Sequence, residues 1–118
     1  MKVQEKVPTR VFCVGSENFT QIQDCGDIYL LPNEQVSFVT PQNRRYDFVR
    51  KNWGFYSTPS INSRLKNQGF KVALVKNELD RIFIMTVEED KIDLFQNYCE
   101  EEAQSILEWR DDRPLNSE

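Results

Sequence analysis

Basic residues are concentrated in one stretch of the chain, Arg44 to Lys76, which holds eight of the fifteen and only one acid. A hydroxyl-rich turn in this stretch predicts a short helix over residues 59–67, because Thr58 suits the N-cap and Pro59 the first helical position. Free N–H groups at a helix N-terminus, with basic side chains nearby, bind phosphate or carboxylate. We therefore predict an anion-binding site. Its candidate residues are Arg50, Lys51, Ser57, Thr58, Ser60 and Arg64.

This anion site has a simpler alternative, in which Ser57 and Thr58 only cap the helix and the basic side chains are solvated. A P-loop requires glycines and a lysine at fixed spacing, and the turn has neither. The sequence leaves the two interpretations open.

Three aromatic residues beside this turn, Trp53, Phe55 and Tyr56, predict a protein interface. Large aromatic side chains and arginine dominate the energetics of such interfaces, and the alternative is that these rings are buried within the monomer. Aromatic and basic residues together also suit nucleic-acid binding. The acidic pI of about 4.9 and the thirteen acids among residues 77–118 argue against nucleic acid, because they repel a phosphate backbone.

Catalytic and metal-binding groups are scarce. The chain has no histidine, which removes the commonest general base, the commonest metal ligand and the usual partner of a serine or cysteine nucleophile. The three cysteines, Cys13, Cys25 and Cys99, are far apart and odd in number, so we expect buried free thiols rather than disulfides or a metal knuckle. We predict no catalytic residue, no metal site and no cofactor.

Charge is unevenly distributed along the sequence. Residues 1–43 carry a net charge of −2, residues 44–76 one of +7 and residues 77–118 one of −9. A basic middle and an acidic end can attract copies of the same chain, so we expect a homo-oligomer. The alternative is that folding brings the two segments together and cancels the contrast.

Length and composition favour one globular domain over residues 1–118, with residues 1–8 and 111–118 expected to be loose. No apolar run approaches the ~20 residues that span a bilayer, and the polar start differs from a signal peptide. We expect a cytoplasmic protein that does not interact with membranes.

Alternating apolar and polar residues predict strands, and turn residues separate them. Cys25 to Asp27 is predicted as a turn. The predicted strands are 10–14, 19–23, 28–31, the hairpin 35–51, and the central hairpin of 70–76 and 81–87. A helix is predicted over 89–102, and residues 105–109 fit a last strand or an extension of that helix, of which we prefer the strand.

These elements predict an α+β fold. We expect a mostly antiparallel, curved or barrel-like sheet of five to seven short strands. The short helix 59–67 is inserted in it, and the longer C-terminal helix 89–102 packs against it.

The segment from Trp53 to Ser60, with Arg64-Leu65, Gly69-Phe70 and Ala73-Leu74-Val75, resembles a small family of uncharacterised bacterial proteins. These are similar to proteins encoded near enzymes of surface-glycan or nonulosonic-acid biosynthesis. The resemblance spans roughly residues 18–112 and implies no known activity, cofactor or site residue. It directs the anion-site hypothesis toward sugar phosphates or nucleotide sugars.

Together these features predict a non-catalytic cytosolic binding or accessory module that self-associates. Residues 50–64 are expected to contact a phosphate- or carboxylate-bearing small molecule or a partner. The alternative is a small enzyme that acts on a phosphorylated or carboxylated sugar.

Overall fold

The structure is a computed structural model that describes residues 1–15 and 20–112. The chain divides into two compact units. Unit 1 consists of Met1–Phe38 and Tyr46–Thr58, and unit 2 consists of Val39–Arg45 and Pro59–Glu118. The sequence predicts a single domain, and that stays a prediction, because two compact units can belong to one domain or to two.

Unit 1 begins with an antiparallel ribbon of two strands, β1 (Lys2–Val14) and β2 (Thr20–Tyr29). Its register shifts between Glu5 and Arg10, where β1 bulges. Gly26 on β2 has a φ of 154°, and a Cβ there would collide with the backbone of β1. Residues 2–8, expected to be a loose arm, therefore belong to a strand, and the turn predicted at Cys25 lies inside β2.

An ion cluster ties the two strands together beside the bulge. Lys6 Nζ donates to Asp24 Oδ2 at 2.7 Å and to Asp27 Oδ1 at 3.3 Å, and Arg10 Nε donates to Asp24 Oδ2 at 3.3 Å. The hydrogen bond from Lys6 lowers the pKa of Asp24, and the same bond raises the pKa of Lys6. These contacts join the strands where the ladder is interrupted.

A second sheet has three strands in the order β3 (Gln35–Val39), β4 (Arg45–Lys51) and β5 (Gly54–Ser57). The hairpin predicted over 35–51 is confirmed by β3 and β4. Strand β5 pairs antiparallel with β4, from Phe48 opposite Ser57 to Lys51 opposite Gly54. The short β4–β5 connection places the aromatic residues Trp53, Phe55 and Tyr56 at this hairpin's end.

Unit 2 contains a three-stranded antiparallel sheet with β6 (Phe70–Lys76) in the centre, β7 (Ile82–Glu88) on one side and β8 (Ser105–Trp109) on the other. The hairpin of β6 and β7 and the preferred last strand are thus confirmed. A four-residue helix, α1 (Arg64–Asn67), precedes the sheet. The predicted longer helix is also confirmed, as a 3₁₀ turn over Glu89–Lys91 that leads into α2 (Ile92–Glu101).

The core of unit 2 lies between the sheet and α2. Ala73, Val75 and Cys99 are buried at its centre. Four partly buried side chains pack around them, namely Met85, Phe95, Ile106 and Trp109. Of the three cysteines predicted to be buried, only Cys99 is; Cys13 and Cys25 lie on the exposed ribbon.

The fold is α+β with mostly antiparallel sheets, as predicted. The single curved or barrel-like sheet of five to seven strands is not observed, because the described residues form eight strands in three separate open sheets. At the C-terminal end, Asp111 Oδ1 accepts a hydrogen bond from the Val72 N–H at 2.8 Å, so this residue of the predicted loose tail is anchored. Residues 113–118 of that tail lie outside the described residues.

Candidate functional site

The two basic residues of the predicted anion site that belong to unit 1 are engaged in local contacts. Arg50 Nη1 donates to the Leu30 carbonyl oxygen at 3.1 Å, and Lys51 Nζ donates to Asn33 Oδ1 at 2.7 Å. Both side chains therefore hold the turn that leads into β3. An anion at Arg50 or Lys51 would compete with these hydrogen bonds.

The hydroxyls of Ser57 and Thr58 do not cap a helix. Thr58 Oγ1 donates to Gln35 Oε1 at 2.9 Å, and the Thr58 N–H donates to the Asp47 carbonyl oxygen at 3.1 Å. Ser57 Oγ is buried and has no hydrogen-bond partner among the described residues. These two residues therefore belong to the packing of the β-sheet.

The predicted helix start at Pro59 is wrong. Helix α1 begins at Arg64, its N-cap is Ser63, and no side chain caps it. The Leu65 N–H already donates to the Ser60 carbonyl oxygen at 2.9 Å. A helix of four residues has little dipole to offer an anion. Anion binding by Ser60 and Arg64, whose side chains are exposed in unit 2, stays a prediction without a helix N-terminus to support it.

A basic residue outside the predicted site, Arg44, makes two charge contacts within unit 2. Its Nη1 lies 2.6 Å from Asp90 Oδ1 and 3.1 Å from Glu88 Oε1. The hydrogen bond to Asp90 raises the pKa of Arg44 and lowers that of Asp90. The pKa of Glu88 is lowered first by Lys91 and then by Arg44. Part of the basic stretch is thus neutralised by the acidic C-terminal third. This agrees with the alternative in which folding brings the basic and acidic segments together.

A glycine lies against this ion pair. Gly69 follows α1 with a φ of 88°, in the left-handed region that side chains rarely adopt. A Cβ at Gly69 would lie 3.1 Å from Arg44 Nε, so a larger residue would crowd the guanidinium. In the sequence, Gly69 indicates the end of a helix. The residues around Gly69 do not indicate that Arg44, far away in the sequence, lies beside it.

The aromatic residues at the β4–β5 hairpin are exposed, and we call Trp53, Phe55 and Tyr56 the aromatic surface. Their exposed fractions are 68%, 65% and 43%. The rings of Trp53 and Tyr56 stack, with centroids 6.0 Å apart and planes 18° apart. The stacking limits the freedom of both rings, so less conformational entropy is lost when a partner covers them.

An apolar cavity of about 230 Å³ adjoins this surface in unit 1. All of its lining residues are hydrophobic: Ile28, Leu30, Val36, Phe38, Phe48 and Phe55. Phe38 and Phe48 meet edge to face, with ring centroids 5.7 Å apart. Phe55 lines the cavity, whereas Tyr56, its neighbour in β5, points to the opposite face of the sheet together with its stacking partner Trp53.

No protein-family model matches the chain, and no curated protein or solved structure is significantly similar to it. Candidate functions therefore rest on the residues themselves. Among residues 1–15 and 20–112, no three histidine, cysteine or acidic side chains cluster in a way that could hold a metal ion. Within the same ranges, neither α1 nor α2 has the length and apolar character to cross a membrane.

Proposed function

We propose that this protein is a cytosolic, non-catalytic binding or accessory module that self-associates through the aromatic surface of unit 1. The observation that carries the proposal is the exposure of that surface, above all Trp53 at 68% and Phe55 at 65%. Exposed, clustered aromatic residues are the residue types that contribute most to interface energies.

The partner we propose is a second copy of the chain, because unit 1 offers both halves of a self-complementary contact. Phe55 is exposed by 65% at the wall of the apolar cavity, and that cavity can receive the ring of a second copy. The stacked rings of Trp53 and Tyr56 lie on the opposite face of the hairpin. In a two-fold contact the same patch serves both copies. Unit 1 has five basic and six acidic residues, so a net charge of −1 opposes its self-association only weakly.

Sedimentation of the Phe55→Ala variant tests this proposal. We expect a roughly 30-fold or larger rise in the dissociation constant, because truncating an interface anchor typically costs about 2 kcal/mol or more. Leu79→Ala is the matched control, since Leu79 is equally exposed at 69% but lies in the β6–β7 turn of unit 2.

Far-ultraviolet circular dichroism separates loss of association from loss of folding, and both variants are expected to keep the wild-type spectrum. The proposal is contradicted by a folded Phe55→Ala variant that associates as tightly as the wild-type chain. It is also contradicted by a wild-type chain that stays monomeric at high micromolar concentration.

The proposal keeps an anionic ligand or partner at residues 50–64 as a separate prediction, and it rests on the exposed Ser60 and Arg64. Phosphate-bearing sugars should raise the melting temperature of the wild-type chain and not that of Arg64→Ala. Lys66→Ala, with an exposed basic side chain two residues on, is the control. The alternative of a small sugar-modifying enzyme stays a prediction, and the absence of any thermal shift would count against both ideas.

A further inference from the structure

The apolar cavity of unit 1 has a size and lining that suit a small organic ligand. Its six lining residues are all hydrophobic and all belong to unit 1, so the cavity is defined within that unit alone. A cavity of about 150 Å³ with comparable walls stays dry and binds benzene. With a volume of about 230 Å³, this cavity has room for one aromatic ring and a short chain.

The cavity walls favour an aromatic ring over a plain alkyl chain. Three of the six lining side chains are phenylalanines, Phe38, Phe48 and Phe55. Phe38 and Phe48 already meet edge to face, and a bound ring can add further contacts of this kind. Such contacts contribute affinity beyond that of the buried area. Phe38 and Phe55 are exposed by 54% and 65%, so a ligand can enter the cavity past these two rings.

Arg50 places a positive charge beside the cavity wall. It lies directly opposite Phe55 in the β4–β5 ladder, so the two side chains share one face of the sheet. Phe48, two residues earlier on β4, shares this face as well. Arg50 Nη1 also donates to the carbonyl oxygen of Leu30 at 3.1 Å. Because Phe48, Phe55 and Leu30 all line the cavity, Arg50 adjoins three of its wall residues.

The guanidinium of Arg50 keeps the capacity to bind an anion. It carries five N–H groups, and an anion would compete with the Leu30 carbonyl oxygen only at Nη1. Within the part of the chain that the structure describes, no acidic side chain forms an ion pair with Arg50. The carboxylate of nearby Glu34 is directed elsewhere, because its Oε1 accepts the Leu31 N–H at 2.7 Å. A ligand carboxylate can therefore meet Nε and Nη2 in the bidentate geometry that arginine favours.

We propose that the cavity of unit 1 binds an arylalkyl monocarboxylate, with its ring among the three phenylalanines and its carboxylate on Arg50. Arg50 selects the carboxylate by charge, and the phenylalanine walls select the ring. The bound ligand occupies the space that a ring of a second copy would enter, so it weakens self-association. This second effect rests on the proposed function, whereas binding of the ligand does not.

Titration of phenylpropanoate into the wild-type chain, kept too dilute to self-associate, tests binding and its location by nuclear magnetic resonance. A ligand of this size is expected to bind with a dissociation constant of about 1 mM or tighter. Methyl resonances of Ile28, Leu30 and Val36 in the cavity should shift. Those of Val72 and Val75, buried in unit 2, should not. Cavity methyls that do not shift up to about 10 mM phenylpropanoate would overturn the proposal.

Phenylpropanol, the uncharged analogue, and the Arg50→Gln variant test the role of charge. Glutamine can still donate to the Leu30 carbonyl oxygen, so the turn keeps a hydrogen bond there. Arg50→Gln should raise the dissociation constant for phenylpropanoate about tenfold or more and leave that for phenylpropanol unchanged. Lys51→Gln is the matched control, because Lys51 points to the opposite face of β4 and should leave both constants unchanged. Equal losses for the two ligands in Arg50→Gln, or for the two variants, would contradict the contact.

Sedimentation with and without phenylpropanoate separates the ligand site from the proposed function. At a concentration of about ten times its dissociation constant, the ligand should raise the dissociation constant of self-association about tenfold. A chain that is monomeric without ligand but shows the cavity shifts removes the proposed function and leaves the ligand site standing. A chain that associates but shows no cavity shifts does the reverse. Cavity shifts with unchanged association would overturn the competition between ligand and second copy.

Discussion

Unit 2 buries seven hydrophobic side chains, whereas unit 1 buries one, Val49, among the described residues. The contrast follows from their elements. Unit 2 has a helix, α2, that lies on one face of its sheet and shares a core with it. The residues of unit 1 that the structure describes form strands and no helix. A sheet that is not covered on at least one face by a second layer keeps its apolar side chains in water.

The β1–β2 ribbon is the clearest case of exposed apolar residues in unit 1. A two-stranded ribbon is marginally stable in water, because it has few neighbours against which to bury apolar residues. Here β1 and β2 keep Val11, Ile22 and Ile28 exposed by 40% or more. Unit 2 is thus the part that can fold by burial of its own core, and unit 1 is the part that gains most from a partner.

The largest effect is expected from one substitution made in each unit. Leu65→Ala in unit 2 removes a side chain that is 1% exposed, so it should lower the free energy of unfolding by about 2–5 kcal/mol. Leu31→Ala in unit 1 removes one that is 65% exposed and should change it by less than about 0.5 kcal/mol. Urea denaturation of dilute protein measures both. Equal losses in the free energy of unfolding would contradict the difference in side-chain burial between the two units.

A smaller effect is expected from Arg44→Ala and should depend on pH. Because the folded state lowers the pKa of Glu88 and Asp90, their contribution to stability is present above the ordinary carboxyl range near pH 4 and is lost as pH falls through the lowered values. Arg44→Ala should therefore melt below the wild-type temperature at pH 7, and the gap should narrow by pH 3.

Arg45→Ala is the control for this pH dependence, because Arg45 is the exposed neighbour of Arg44 and the ion pairs described here do not include its side chain. It should melt close to the wild-type temperature at both pH values. A gap for Arg44→Ala that stays constant from pH 7 to pH 3 would exclude the two carboxylates as its cause.

The smallest effect is expected from Lys6→Ala in the ribbon. Losing the contacts to Asp24 and Asp27 should speed amide hydrogen exchange within β1 and β2 and leave the exchange of β6 unchanged. A uniform increase in exchange rate across both units would show that the ribbon and unit 2 unfold together. That result would contradict a difference in stability between them.

Sequence patterns predicted the elements of unit 2 well. Strongly apolar runs gave β6 and β7, and the change from a period of two to one near 3.6 gave α2, because dense burial leaves a clear periodicity. In unit 1 the same reasoning failed at residues 2–8. Their polar composition resembles a loose segment, and they form a strand because their backbone pairs with β2, which no local pattern reveals.

The structure corrects the helix start of the predicted site, and the binding roles of its residues stay predictions. The aromatic surface is exposed, as an interface requires, but its role as an interface stays a prediction. The helix start at Pro59 was wrong because Thr58 contacts Gln35, more than twenty residues away, and so remains with the sheet. Cap signals are local, and such a distant partner overrides them.

We propose that unit 1 completes its burial against a second copy of the chain. Amide hydrogen exchange, followed from dilute to concentrated protein, measures that burial strand by strand. We predict that amides of β5 and of the neighbouring β4 become protected as concentration rises, while those of Ala73 and Val75 in β6 stay equally slow throughout. Amides of β4 and β5 that are already as slow as those of β6 in the dilute monomer would contradict the claim.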